Sequence, residues 1–392
     1  MKLLKIRDII FLSYFVVVFF SYLFFLKPGE DLNYYFYSIF LGGSVLVFFA
    51  CFTHIFFFSS GQVNKFFILG FTILATSAAL DIFVHRDSNL LNMMFFLIFA
   101  WSIYRDPVKR FRFILNLTFI LAILWSIIAY YLGMNVWGFW PGQATTNLSQ
   151  GLWWRIGLFP FQTPPFSGTF SLVVFLVNFR LKNFSAKLIS FLAFYFFLFS
   201  GSRTVLIAFL TCILIFIVAK HYKVGGTFMI FSLSALISLL MVLSNAPILL
   251  YPFLSWSDFL SSLVLRVGDG SQNDIIQDSR SVILFYFMEN IGSSWPFGIG
   301  SSNFSENYNG PGGSEMPGVR IVAESGIFGL LSLISLTSFS FMKGVGAKFF
   351  VVIFFVLIFF YGSFLHPYSP VFLAMLLLLS NENINPAYLK FD

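Results

Sequence analysis

Arg203 in SGSRTVLIAF, Arg280 in DSRSVILFYF and Arg320 in PGVRIVAESG each stand at the edge of an apolar stretch. A guanidinium keeps its charge in poorly solvated surroundings and presents a rigid fork of donors matched to phosphate oxygens. With Arg266 in SLVLRVGDG, these residues could hold a phosphorylated, anionic ligand. Lysine would serve solubility or topology equally well, so the signal lies in the residue type rather than in the charge. Acidic residues share this part of the chain: Asp258, Asp269, Asp274, Asp278, Glu289, Glu306 and Glu315.

The elements that must position these groups follow from composition. The chain has 392 residues, 58% hydrophobic and 10% charged, with a mean hydropathy of +0.88. Too few charged groups are present to cover a soluble domain of this size. Apolar runs recur along almost the whole length, which predicts an all-α fold. The expectation is one integral membrane domain over residues 1–392 with about 12 transmembrane helices. They are expected near 9–26, 36–58, 66–84, 90–104, 113–133, 166–179, 188–200, 204–219, 227–244, 321–342, 349–365 and 369–380. MKLLKIRD and the run Ile9–Leu26 mimic a signal peptide, but the run ends in Lys27-Pro28-Gly29-Glu30 without a small-residue cleavage site. An uncleaved first helix is expected. Cys51 and Cys212 lie in apolar runs and suggest neither a disulfide nor a metal site.

Charge orients these helices. With both termini inside, sixteen of the 23 basic residues fall on the cytoplasmic side. The outer side holds Lys27, Arg86, Arg155, Arg203, Arg266, Arg280 and Arg320. That split obeys the positive-inside rule, so the net charge of +7 is an insertion signal and needs no nucleic acid to explain it. Eleven of the sixteen inner cations are lysine, whereas six of the seven outer ones are arginine. An outer set rich in arginine points to an anionic ligand there, such as a lipid phosphate or pyrophosphate. For Lys27, Arg86 and Arg155, contact with lipid headgroups is the simpler account.

Two outer segments exceed the usual connection length. The first, 134–165, is aromatic-rich and holds Trp137, Trp140, Trp153 and Trp154, residues suited to a membrane interface or to stacking on sugar rings. The second, 245–320, is the longest polar stretch; it is expected to carry part of the site, with a short helix over Ser281–Ile291. Asp81 sits inside the third helix with His85 one turn on; an intramembrane carboxylate suggests function, although local pairing near the helix end explains it equally. His366, in LHPYSP, is expected to cap or pack. GxxxxGK[ST], HExxH, paired CxxC and D-x-D do not occur, so neither a nucleotide-driven motor nor a zinc site of a familiar kind is expected.

Three stretches carry a family resemblance. FSGSRTVLIAF is similar to the helix-opening motif of the O-antigen ligase and Wzy-type polysaccharide polymerase superfamily. DSRSVILFYFMENIGSSWPFGIGSSNF resembles that superfamily's second signature, in which an arginine opens a short helix and a glycine-rich turn closes it. VAESGIFGL resembles the third, which opens the helix after the large outer loop. The resemblance spans roughly residues 200–330. It implies a metal-independent, inverting glycosyltransferase without a cofactor, at the outer face of a bacterial inner membrane. Its donor would be an undecaprenyl-pyrophosphate-linked oligosaccharide, held by Arg203 and Arg280 with Arg266 and Arg320 as further pyrophosphate ligands. A chain-length regulator and a flippase of the same pathway are the implied partners, beside membrane lipids. Ligases often place a basic histidine nine residues before the glutamate of the third motif; here that position is Glu315. The departure favours a polymerase over a ligase, with Glu315 as general base and Glu289 in reserve. Glu324 itself is expected to serve the helix dipole at the start of its helix. A flippase is the rival from another class, but neither repeated halves nor broken polar mid-membrane helices are evident.

Overall fold

Long apolar runs without internal proline satisfy their own backbone groups best as helices, and every element in the computed structural model is helical among the described residues. These are residues 2–24, 34–58, 65–85, 89–131, 158, 164–200, 202–221, 295–300, 317–337, 345–360 and 369–380. In chain order the helices are α1 (Lys2–Phe24), α2 (Tyr34–Thr53, running into a π turn at His54–Phe58), α3 (Lys65–His85), α4 (Asn89–Arg105) and α5 (Phe111–Tyr131). Next come α6 (Pro164–Asn178), α7 (Phe184–Phe199), α8 (Arg203–His221), α9 (Pro317–Thr337) and α10 (Val345–Phe360). The last is α11 (Pro370–Leu376), which tightens into a 3-10 turn at Leu377–Ser380.

The surface identifies the solvent these helices are built for. Phe83 is 85% exposed, Phe184 81% and Phe57 74%, while Phe15, Phe19, Phe40 and Phe170 are fully buried. Apolar exposure on this scale suits association with a membrane. By length and composition four stretches suffice to cross one: Ile39–Phe57, Phe67–His85, Phe111–Ile128 and Gly318–Ser335, the last of them broken at Gly326. Others, such as Leu90–Arg105 and Thr204–Ile217, are apolar but shorter. Several buried hydroxyls bond back to their own helices, as Ser126 Oγ does to Ala122 O at 2.7 Å and Ser332 Oγ to Phe328 O at 2.7 Å, which satisfies them without a partner from another helix.

Hydrogen bonds sort the helix ends into two sets. At one end of the bundle Arg7 of α1 donates to Ser102 O of α4 at 2.9 Å, and His54 Nε2 meets Asp106 Oδ2 at 2.8 Å. Val108 N donates to Ser380 Oγ at 2.9 Å, and Asn116 Nδ2 of α5 to Asn178 Oδ1 of α6 at 3.1 Å. The starts of α1 and α5 and the ends of α2, α4, α6 and the 3-10 turn therefore share this end. The start of α6, the end of α7 and the start of α8 lie at the other end, where Gly168 backs onto Ser200 and Val205.

Eleven of the twelve expected helices have a counterpart among the described residues, but several bounds move. The first helix starts at Lys2, not at 9, and the one after the large loop at Pro317, not at 321. α6 takes in Pro164 and Pro165, because proline suits a first helical turn, where its missing N–H is no loss. The helix expected at 227–244, that at Ser281–Ile291, His366 and the tryptophans of 134–165 lie outside the described residues.

Candidate functional site

The second and third motifs meet backbone to backbone. α9 does not run straight: Gly326 has φ 55° and ψ −128°, which breaks the helix between Ser325 and Ile327. A break of this kind strands the carbonyls before it and the amide after it, and these groups need partners where water is scarce. The turn at 295–300, WPFGIG, supplies them. Ile299 N donates to Ala323 O at 3.0 Å, Gly300 N donates to Glu324 O at 2.8 Å, and Ile327 N donates to Pro296 O at 2.7 Å.

The approach is so close that side chains are excluded from it. A Cβ on Gly326 would lie 2.1 Å from Pro296 O, and one on Gly298, itself at φ 86°, would lie 2.4 Å from Glu324 O. Beyond the break the helix folds back on itself, since a Cβ on Gly329 would sit 2.3 Å from Ile321 O. The 21 residues of α9 thus form two segments rather than one rod.

Charged and polar side chains gather around this joint. α3 packs along α9, and at its end His85 Nε2 lies 2.7 Å from Phe297 O. A carbonyl can only accept, so Nε2 carries the proton in that bond. Asp81, one turn earlier on α3, is fully buried. Glu324 is 2% exposed, and its Oε1 accepts from Arg320 Nε at 2.6 Å, one turn apart on the first segment of α9. Glu324 is therefore not a first-turn residue serving the dipole: α9 starts at Pro317, seven residues earlier, and the carboxylate instead orients Arg320.

The first motif lies at the same end. Ser202 caps α8, its Oγ accepting from Val205 N at 3.5 Å and its carbonyl from Leu206 N at 3.0 Å. Arg203 is the first residue of α8, so its backbone lies at the bundle end where α3 finishes. α10 packs against both α8 and α9 and links the first motif to the third. Arg266, Arg280, Glu289 and Glu315, and the side chain of Arg203, lie outside the described residues.

Sequence reasoning missed the role of His85, which it weighed only as a companion to Asp81. The available signal was a histidine one turn beyond a buried carboxylate at a helix end. Replacing His85 by Ala removes its bond to Phe297 O and is expected to cost about 0.5–1.5 kcal/mol. Faster hydrogen exchange at the Ile299 and Gly300 amides should accompany that loss. Exchange unchanged from the parent protein would show that His85 does not hold the turn.

Fold and site together define an all-helical protein with apolar helices suited to a membrane, carrying a broken helix stitched to a glycine-rich turn at one end. No family model matches the chain, and no curated protein matches it.

Proposed function

We propose that this chain is a polysaccharide polymerase of O-antigen or capsule type. It joins undecaprenyl-pyrophosphate-linked oligosaccharide units at the outer face of the bacterial inner membrane, in which it is a multi-pass protein with cytoplasmic termini. The observation that carries the reading is the stitching of WPFGIG into the break of α9. That joint ties the stretch following Arg280 and Glu289 to the helix bearing Arg320, near the level where α8 starts with Arg203. Arginines far apart in sequence could thereby face one large, lipid-tethered anion.

In the proposed reaction, a hydroxyl of the acceptor unit attacks C1 of the donor sugar from the face opposite the pyrophosphate. The new C1–O bond forms as the old one breaks, and the leaving pyrophosphate keeps the electron pair. Fixed guanidinium groups of Arg203 and Arg280, with Arg266 and Arg320 beside them, stabilise that growing charge. Glu315 takes the hydroxyl proton, with Glu289 as the reserve base. Glu315→Gln keeps the shape and removes the basicity, so the rate should fall at least ~100-fold while donor binding persists. Polymer of normal length and amount from this variant would move the assignment to Glu289.

The reading as a whole is tested in a deletion strain. Single repeat units on the lipid A–core would support a polymerase. Carrier-bound polymer missing from the core would mean a ligase, and complete absence of surface glycan a flippase. Purified enzyme is also expected to keep its activity in excess chelator, since arginines carry the electrostatics. Loss that magnesium or manganese restores would return the acidic residues of 245–320 to attention as metal ligands.

A further inference from the structure

At the end of the bundle opposite the broken helix, the starts of α5 and α7 border a cleft of about 970 Å³. Lys109, Arg110 and Arg112 line it, together with Asn116, Asn178 and Asn183. Its two carboxylates are already engaged: Asp8 accepts from Arg7 Nε at 3.1 Å, and Asp106 pairs with His54 at 2.8 Å. No ion pair to Lys109, Arg110 or Arg112 occurs among the described residues. The lining thus carries four cations, Arg7, Lys109, Arg110 and Arg112, against two carboxylates, and this net excess raises the local affinity for an anion.

The start of α7 adds to the same field. Asn183 precedes α7 without a side-chain capping bond, so donors of the first turn of α7 keep their capacity for an external acceptor. Part of the lining is apolar: Phe113, Leu117 and Ile120 continue along α5 from the arginines, Ile189 of α7 joins them, and Phe113 is 68% exposed. A free inorganic anion would leave these side chains uncovered, whereas a molecule with a phosphate head and a hydrocarbon tail satisfies both parts.

We infer that this cleft is a binding site for an anionic phospholipid, the phosphate held by Lys109, Arg110 and Arg112 and an acyl chain laid over Leu117, Ile120 and Ile189. The site lies at the end of the bundle away from the proposed catalytic residues and does not depend on that assignment. Cationic pockets between membrane helices are suited to lipid headgroups, each exposed cation strengthening the interaction several-fold.

The test is native mass spectrometry of the purified full chain in detergent, titrated with phosphatidylglycerol, with phosphatidylcholine and with inorganic phosphate. Phosphatidylglycerol is expected to bind, phosphatidylcholine to bind at least ~10-fold more weakly, and millimolar phosphate to compete poorly. The Arg110→Gln/Arg112→Gln double variant should lose about 30-fold in phosphatidylglycerol affinity, at several-fold per cation. Lys182→Gln/Lys187→Gln removes two cations from the same end that do not line the cleft, and should leave binding unchanged. Should the double variant not purify, Arg112→Gln alone, at an exposed position on α5, should still weaken binding about fivefold. Equal binding of the two lipids, equal loss in the Lys182/Lys187 control, or no loss in the arginine variants overturns the proposal. Full displacement by inorganic phosphate would reassign the cleft to a free anion.

Discussion

Gly326→Ala is expected to abolish the arrangement on which the candidate site depends while leaving the rest of the bundle folded. The backbone at Gly326 has φ 55° and ψ −128°, a region that residues with a Cβ avoid at a cost of about 1–3 kcal/mol. Space is the larger obstacle. The added methyl would lie 2.1 Å from Pro296 O, 2.5 Å from Phe297 C and 2.6 Å from Gly298 N, all backbone atoms that no rotamer change can move aside. The turn must therefore withdraw and give up its three hydrogen bonds to α9. A displacement of about 1 Å at a catalytic centre can cost on the order of 100-fold in rate, so polymer formation should fall at least that far. Gly42→Ala is the matched control: nothing lies within 4 Å of its Cβ position, and the change should be neutral or slightly stabilising. Polymer yield in cells and hydrogen exchange at Ile299 and Gly300 are the measurements. Normal yield from Gly326→Ala would remove the joint from any role in the reaction.

Arg203→Lys and Arg280→Lys should each lower the polymerisation rate by about 100- to 1000-fold, the range seen when one donor to a developing negative charge is removed. Net charge is unchanged, so insertion into the membrane should persist. What is lost is the planar fork, because an ammonium offers a point charge where a guanidinium bonds two oxygens at once. Arg203 opens α8 directly after its capping residue Ser202, so its backbone is anchored and substitution should change the head group alone. Single-turnover assays with a purified lipid-linked donor would read the effect, alongside a folding control by size-exclusion chromatography. Lysine variants that retain more than a tenth of the parent rate would argue against bidentate pyrophosphate contacts at these positions.

The class of fold and most helix positions were legible because hydropathy is a local property of the chain. Apolar runs bounded by Arg105, by Pro164-Pro165 and by Ser202-Arg203 mark helix ends that α4, α6 and α8 take up within a few residues. The spacing of Arg320 and Glu324 was equally visible, yet their pairing was not anticipated. Nothing local distinguishes a carboxylate that serves a helix dipole from one that reaches back a turn to a guanidinium. The positions of Arg266, Arg280, Glu289 and Glu315 rest on sequence alone, since they fall outside the described residues.

By itself, then, the sequence determined an all-helical, membrane-suited chain, the asymmetry of its lysines and arginines, and glycines in both WPFGIG and ESGIFG. Only the tertiary structure decided that Gly326 breaks α9 and that WPFGIG closes the break. A glycine within an apolar helix can equally allow a neighbouring helix to approach. Breaking the backbone becomes stable only when another segment returns the stranded hydrogen bonds, and the donors at Ile299 and Gly300 lie more than twenty residues from their acceptors. The cleft at the other end was decided in the same way. Lys109, Arg110 and Arg112 read as an insertion signal until α7 and the Asn116–Asn178 pair close around them, because a cavity belongs to several elements at once and to none alone.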